Sequence, residues 1–202
     1  MMSQINIYIL NTILVKEYLS FISSFIDEKR KTKAERYVHE KDQLLSFGAG
    51  YLLKKYLPDG EIKEMENGKP YLENGPFFNI SHSGEYVVLA IHPTKEVGID
   101  IEKIDEDRVS TIRFVLNEDE KKTNDITTLF QIWSNKESLA KCISTGLKDI
   151  RDINGLPLEG KRTINGEDYY SKAMVYDGCS LAVSLKGKEP FDINIHRVDA
   201  IK

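Results

Sequence analysis

The segment Val97-Gly98-Ile99-Asp100-Ile101-Glu102 carries the pattern best suited to chemistry. A strand's period of two sends Ile99 and Ile101 to one face and Asp100 and Glu102 to the other. Side chains two apart on a strand lie about 7 Å from one another, so two carboxylates can converge on one hard cation, whose preferred ligands are carboxylate, phosphate and water. The same alternation also describes the solvated side of an ordinary strand. In Trp133-Ser134-Asn135-Lys136-Glu137-Ser138-Leu139-Ala140-Lys141, the residues Trp133, Glu137 and Lys141 recur every four positions on one helix face. A Glu/Lys pair at this spacing is commonly a surface ion pair, yet a large indole on the same stripe asks for cover and sets Glu137 and Lys141 at the edge of a cleft.

Three further features supply groups able to meet an anion. Phe77-Phe78-Asn79-Ile80-Ser81-His82-Ser83-Gly84 reads as an apolar strand end that delivers a hydroxyl, an imidazole and backbone N–H groups into a glycine-containing turn. Of His39, His82, His92 and His196, only His82 has this setting, and none has the spacing of a metal motif. Gly68-Lys69-Pro70 fixes a lysine in a turn, and Arg30, Lys33 and Arg36 follow one another at helical spacing; each is equally compatible with solvated charge. Cys142 and Cys179 lie outside any Cys-x-x-Cys pattern and read as reduced thiols.

Positioning these groups requires a mixed architecture. Alternation over Ile5–Ile9 predicts a strand, and Val15, Leu19, Ile22 and Ile26 predict an amphipathic helix. A long helix follows through Leu44–Leu53, ended by Pro58-Asp59-Gly60. Phe77–Ile80, Tyr86–His92 and Val97–Glu102 read as strands of an antiparallel sheet. Asn117 and Glu120 suggest a capping box, Ile126–Ser144 a second strong helix, and Arg162–Val198 mostly strands, with a turn at Asp177-Gly178. Helix then strands, twice over, predicts an α+β protein of two similar halves, 1–104 and 105–202, packed as one body.

The bulk properties narrow the partners. With 202 residues, 41% hydrophobic and 30% charged, the chain can bury a substantial core. A net charge of −4 argues against a general nucleic-acid binder, so any anion site must be local. The apolar stretch Ile5–Val15 is interrupted by Asn6, Asn11 and Thr12 and has no basic lead-in, so neither a signal peptide nor a membrane span is expected, and the cytoplasm is the expected compartment.

Together, Gly68–Pro70, Phe78–Ser83, Gly98–Glu102 and Trp133–Lys141 resemble, in order and spacing, the motif series of the 4′-phosphopantetheinyl transferases, best matching the larger type that activates polyketide and peptide synthetases. The resemblance implies a pseudodimer of two similar α/β halves with the active site in the cleft between them. It implies Mg²⁺ held by Asp100, Glu102 and Glu137, and coenzyme A held by Lys69, Ser81, His82 and Lys141 together with Arg30, Lys33 and Arg36. It implies a monomer that transfers the phosphopantetheine arm to a serine of an apo acyl- or peptidyl-carrier protein and releases 3′,5′-ADP, with Glu137 as base and Lys141 stabilising charge. The chain departs from the family pattern in two places. Lys41-Asp42-Gln43-Leu44-Leu45-Ser46 lacks an arginine often found near the coenzyme A 3′-phosphate, and Ile143-Ser144-Thr145-Gly146-Leu147 keeps a single glycine where the helix ending is usually glycine-rich. Two other readings use the same residues: a Mg²⁺-dependent coenzyme A pyrophosphate hydrolase, and a non-catalytic module that binds coenzyme A or a carrier.

Overall fold

Each half of the chain opens with a strand, passes through helices and returns as antiparallel strands whose last member pairs with the first. The computed structural model describes residues 3–143 and 150–201. The first unit runs β1 (Ser3–Asn11), α1 (Thr12–Glu17), α2 (Leu19–Phe25), α3 (Glu28–Glu35), α4 (Glu40–Tyr56), the small hairpin β2 (Ile62–Glu64) and β3 (Pro70–Leu72), then β4 (Phe77–Ser83) and β5 (Tyr86–His92). The second runs β6 (Val97–Lys103), α5 (Val109–Val115), α6 (Ile126–Ile143), β7 (Glu159–Ile164), β8 (Glu167–Tyr176) and β9 (Cys179–Lys186), after which β10 (Phe191–Arg197) returns to pair parallel with β1. The two large sheets have strand orders β10-β1-β5-β4 and β6-β9-β8-β7.

Side-chain caps start the helices where the chain must turn. Asn11 accepts from the Ile13 amide and Asp27 from the Arg30 amide, each at 2.8 Å. The helix expected across Val15–Ile26 is broken at Tyr18 into α1 and α2, but Val15, Ile22 and Ile26 still point into one core. That core is closed by α4, every residue of which from Leu44 to Leu53 is buried. Leu45, in the stretch where the resemblance leads one to expect an arginine, is 4% exposed within it and packs in the core. The capping box forms reciprocally, with Glu120 N donating to Asn117 and Asn117 N to Glu120. It lies just ahead of the 3-10 turn Glu120–Lys122, not at the start of α6.

The sheets meet face to face over Ile5, Ile7, Ile9, Val88 and Ala90 on one side and Val97, Ile99, Ile101, Leu181, Val183 and Leu185 on the other. Val97–Glu102 therefore does not extend the sheet of β4 and β5, as its place in the sequence suggested; it pairs antiparallel with β9. At the seam, β6 and β4 are edge strands, and side chains bridge them. Asn79 Oδ1 accepts from Ile99 N at 2.9 Å, Ser81 Oγ from Ile101 N at 3.4 Å and Ser83 Oγ from Lys103 N at 3.0 Å. Alternate residues of β4 thus satisfy the amides that an edge strand would leave open. Val97 opens the strands of the second sheet, and β10 crosses back to the first sheet. Both cysteines are free and buried. Among the described residues, no helix is long and apolar enough to cross a membrane.

Candidate functional site

The site is built where α6 lies across β6 and β9. The sheet face beneath the helix consists of Gly98, Asp100 and Glu102 on β6, opposite Ser184, Ala182 and Ser180 on β9. Small residues allow the close approach. A Cβ on Gly98 would sit 2.0 Å from the Ser138 carbonyl oxygen and 2.6 Å from the Cys142 nitrogen, so only glycine fits. Hydroxyl pairs pin the helix, Ser134 to Ser180 at 2.6 Å and Ser138 to Ser184 at 2.8 Å. The stripe Trp133, Glu137 and Lys141 consequently faces the carboxylates of β6.

The acidic groups differ in their partners. Asp100 Oδ1 accepts from Lys141 Nζ at 2.6 Å and from Ser81 Oγ at 2.9 Å, while its buried Oδ2 has no partner among the described residues. Burial, then the charge of Glu102, raises the Asp100 pKa to about 6 against the pull of Lys141. Glu137, 9% exposed, receives no hydrogen bond from the described residues; burial and the nearby Asp100 raise its pKa to about 7. Glu102 is fully engaged. Its Oε2 accepts from Arg108 Nη1 at 2.5 Å and Ser83 Oγ at 3.1 Å, and its Oε1 from Trp133 Nε1 at 3.1 Å and Arg108 Nη2 at 3.4 Å. Burial works to lower the Lys141 pKa, but Asp100, Glu137 and Glu102 outweigh it and hold the ammonium above its ordinary value.

Lys69, Ser81, His82, Asp100, Glu102, Glu137 and Lys141 line one cavity of about 500 Å³. Gly68, with φ +82°, makes the turn that aims Lys69, whose Nζ donates to the Cys142 carbonyl at 3.2 Å. Burial depresses the Lys69 pKa. Desolvation and then Lys141 do the same to His82, which stays exposed at the cavity rim. Ser81 and His82 lie within β4, in register with Val88 and Val87, so the turn expected at these residues begins only at Gly84. Along this stretch the hydroxyl oxygens of Ser81 and Ser83 also accept from the amides of β6. Arg30, Lys33 and Arg36 line a second cavity, of about 900 Å³, between α3, the end of α4 and the β2–β3 hairpin. The hairpin borders both cavities, the second through Ile62 and Glu64 and the first through Lys69 and Pro70. Of the altered helix ending, Ser144–Leu147 lie outside the described residues.

Among the described residues, no group of three or more His, Cys, Asp and Glu side chains is gathered as a metal site. Arg108, Ser83 and Trp133 already occupy both oxygens of Glu102. Asp100 Oδ2 and the Glu137 carboxylate nevertheless suit a hard cation: both are oxygen donors without a proton donor, and both are held near neutrality by unfavourable surroundings.

Several contributing residues escaped the sequence reading. Ser83 and Asn79 sit inside the quoted strand motif, and their spacing of two with Ser81 was the available signal. Arg108 carried none, because its partner is set by the turn Glu106–Arg108. Lys136, next to Glu137, points the opposite way and forms a wholly buried ion pair with Glu120 at 2.9 Å. Glu120 also accepts from Gly155 N at 2.6 Å, tying α6 to the loop before β7.

Two lobes joined at a polar seam, with carboxylates and a lysine buried there, define the class, and comparison with known families assigns it. Residues 15–94 match the model described as 4′-phosphopantetheinyl transferase, N-terminal, and residues 96–175 match that of the 4′-phosphopantetheinyl transferase superfamily. The chain belongs to the 4′-phosphopantetheinyl transferase superfamily. It is 34% identical to 4′-phosphopantetheinyl transferase gsp of Aneurinibacillus migulanus over 65% of this chain and 62% of that protein. It is 29% identical to 4′-phosphopantetheinyl transferase Sfp of Bacillus subtilis over 61% of this chain and 62% of that protein. A vertebrate relative, L-aminoadipate-semialdehyde dehydrogenase-phosphopantetheinyl transferase of Xenopus laevis, is 27% identical over 60% of this chain and 50% of its own length. The matched region thus spans between one half and two thirds of each relative.

Proposed function

We propose that the chain transfers the 4′-phosphopantetheine group of coenzyme A to a serine of an apo acyl- or peptidyl-carrier protein and releases 3′,5′-ADP, acting as a monomer in the cytoplasm. The observation that carries this reading is the convergence of Glu137 and Lys141 from α6 with Asp100 from β6, in one cavity with Lys69, Ser81 and His82. Lys69, Ser81, His82 and Lys141 bind the pyrophosphate, and Arg30, Lys33 and Arg36 receive the 3′-phosphate across the hairpin. Asp100 and Glu137, with Glu102 beside them, would hold Mg²⁺, which when bound neutralises phosphate charge. The Glu137 carboxylate takes the proton from the carrier serine as its oxygen attacks the pantetheine-bearing phosphorus. The bond from that phosphorus to the 3′,5′-ADP oxygen breaks, and Lys141 stabilises the charge that collects on the leaving side.

The same carboxylates would serve water as nucleophile in a coenzyme A pyrophosphate hydrolase. The test is 3′,5′-ADP release with and without apo-carrier in the presence of Mg²⁺. Release that depends on the carrier supports transfer; equal release without a carrier establishes the hydrolase, and coenzyme A binding with no release on any carrier establishes a binding module.

A further inference from the structure

Glu102 differs from Asp100 and Glu137 in that both its oxygens are taken by donors of the chain itself. The strongest of these is Arg108, which approaches with both terminal nitrogens, at 2.5 and 3.4 Å. Its position is prepared. Asp105 starts the 3-10 turn by accepting from Asp107 N at 3.0 Å, the Asp105 carbonyl accepts from Arg108 N at 3.1 Å, and the guanidinium carbon lies 6.0 Å from the centre of the buried Phe130 ring on α6. The Arg108 side chain is 41% exposed and that of Glu102 only 14%, so the arginine has room to swing outward while the carboxylate stays in the cleft. Arg108 therefore places a fixed positive charge on one of the carboxylates that a metal ion would use.

We propose that Arg108 is a resident cation that withholds Glu102, so that a divalent metal ion binds first to Asp100 and Glu137 and gains Glu102 only by displacing the arginine. Arg108 is then a positioning residue that weakens metal uptake by the free chain and makes it selective for conditions in which a phosphate ligand helps to fill the coordination sphere. The inference rests on the metal-binding part of the proposed function.

The test is Mn²⁺ binding to the full chain, without coenzyme A or carrier, followed by loss of the free-ion electron paramagnetic resonance signal. Arg108→Gln, which keeps part of the side chain over Phe130, should bind Mn²⁺ about fivefold to tenfold more tightly than wild type, because a half-buried ion pair no longer competes for Glu102. Glu102→Gln should change wild-type affinity by less than about twofold and should abolish the gain when combined with Arg108→Gln. Arg108→Ala should repeat the gain, guarding against an effect peculiar to glutamine. Unchanged or weaker Mn²⁺ binding in Arg108→Gln and Arg108→Ala overturns the proposal, as does a gain that persists without Glu102. Mn²⁺ uptake indifferent to Asp100→Asn and Glu137→Gln overturns the metal reading beneath it. Mn²⁺ binding that behaves as described in a chain without transfer activity leaves this inference standing and removes only the transferase assignment.

Discussion

Asp100 and Glu137 carry charge where the surroundings disfavour it, and that strain is the chemical content of the site. Both bind a proton more readily in the folded chain, at about 6 and about 7, than at their ordinary 3.8 and 4.5. The folded state therefore holds more protons across this window, and stability that is complete below about 4 is lost as pH rises through the folded values. Without metal, Glu137→Gln should unfold at a higher temperature than wild type above pH 7, by about 2–4 °C for a gain of about 1 kcal/mol, and the gap should close towards pH 4.5. Thermal unfolding in chelator at several pH values measures this, and a difference independent of pH contradicts the assigned environment. The acid pair on β6 and the stripe on α6 were legible because each follows one element's period. The difference in their satisfaction was not, because Arg108 and Ser83 reach Glu102 from other elements.

At the scale of elements, α6 must lie flat on β6 for Glu137 and Lys141 to meet Asp100. Gly98→Ala should cost about 2 kcal/mol or more, since the added carbon would press on helix backbone that cannot give way locally, and it should depress activity by shifting α6. Denaturant unfolding checks the first effect, and a wild-type midpoint would show that the helix has slack. The seam makes a separate demand. Asn79→Ala leaves the Ile99 amide without its acceptor in a buried setting and should cost about 1–3 kcal/mol. Protection of that amide from hydrogen exchange should fall with it, and unchanged protection would mean that the bridge is dispensable. Local periodicity revealed β4, β5, β6 and α6 as elements, and the Asp177-Gly178 turn marked the β8–β9 hairpin. It did not reveal that β6 pairs with β9, because a period of two fixes which face is buried and leaves the neighbour open.

For the whole molecule, two units of similar order line one cavity that neither builds alone. The first supplies Lys69, Ser81 and His82 from its hairpin and edge strand, and the second supplies Asp100, Glu137 and Lys141. The two-unit plan was visible in the succession of helices and strands. The return of β10 to pair with β1 was not, because it depends on pairing over a long sequence distance. The basic residues of α3 line a cavity separated by the β2–β3 hairpin from the one that holds Asp100, Glu137 and Lys141, as the proposed ligand with phosphates at two places would need. The most direct test of the account is the intact mass of apo-carrier proteins after incubation with coenzyme A, Mg²⁺ and either wild type or Glu137→Gln. Wild type should add one phosphopantetheine per carrier and release one 3′,5′-ADP for each, with Glu137→Gln slower by about 10²-fold or more although folded. No mass gain on any carrier, or a Glu137→Gln rate equal to wild type, would contradict it.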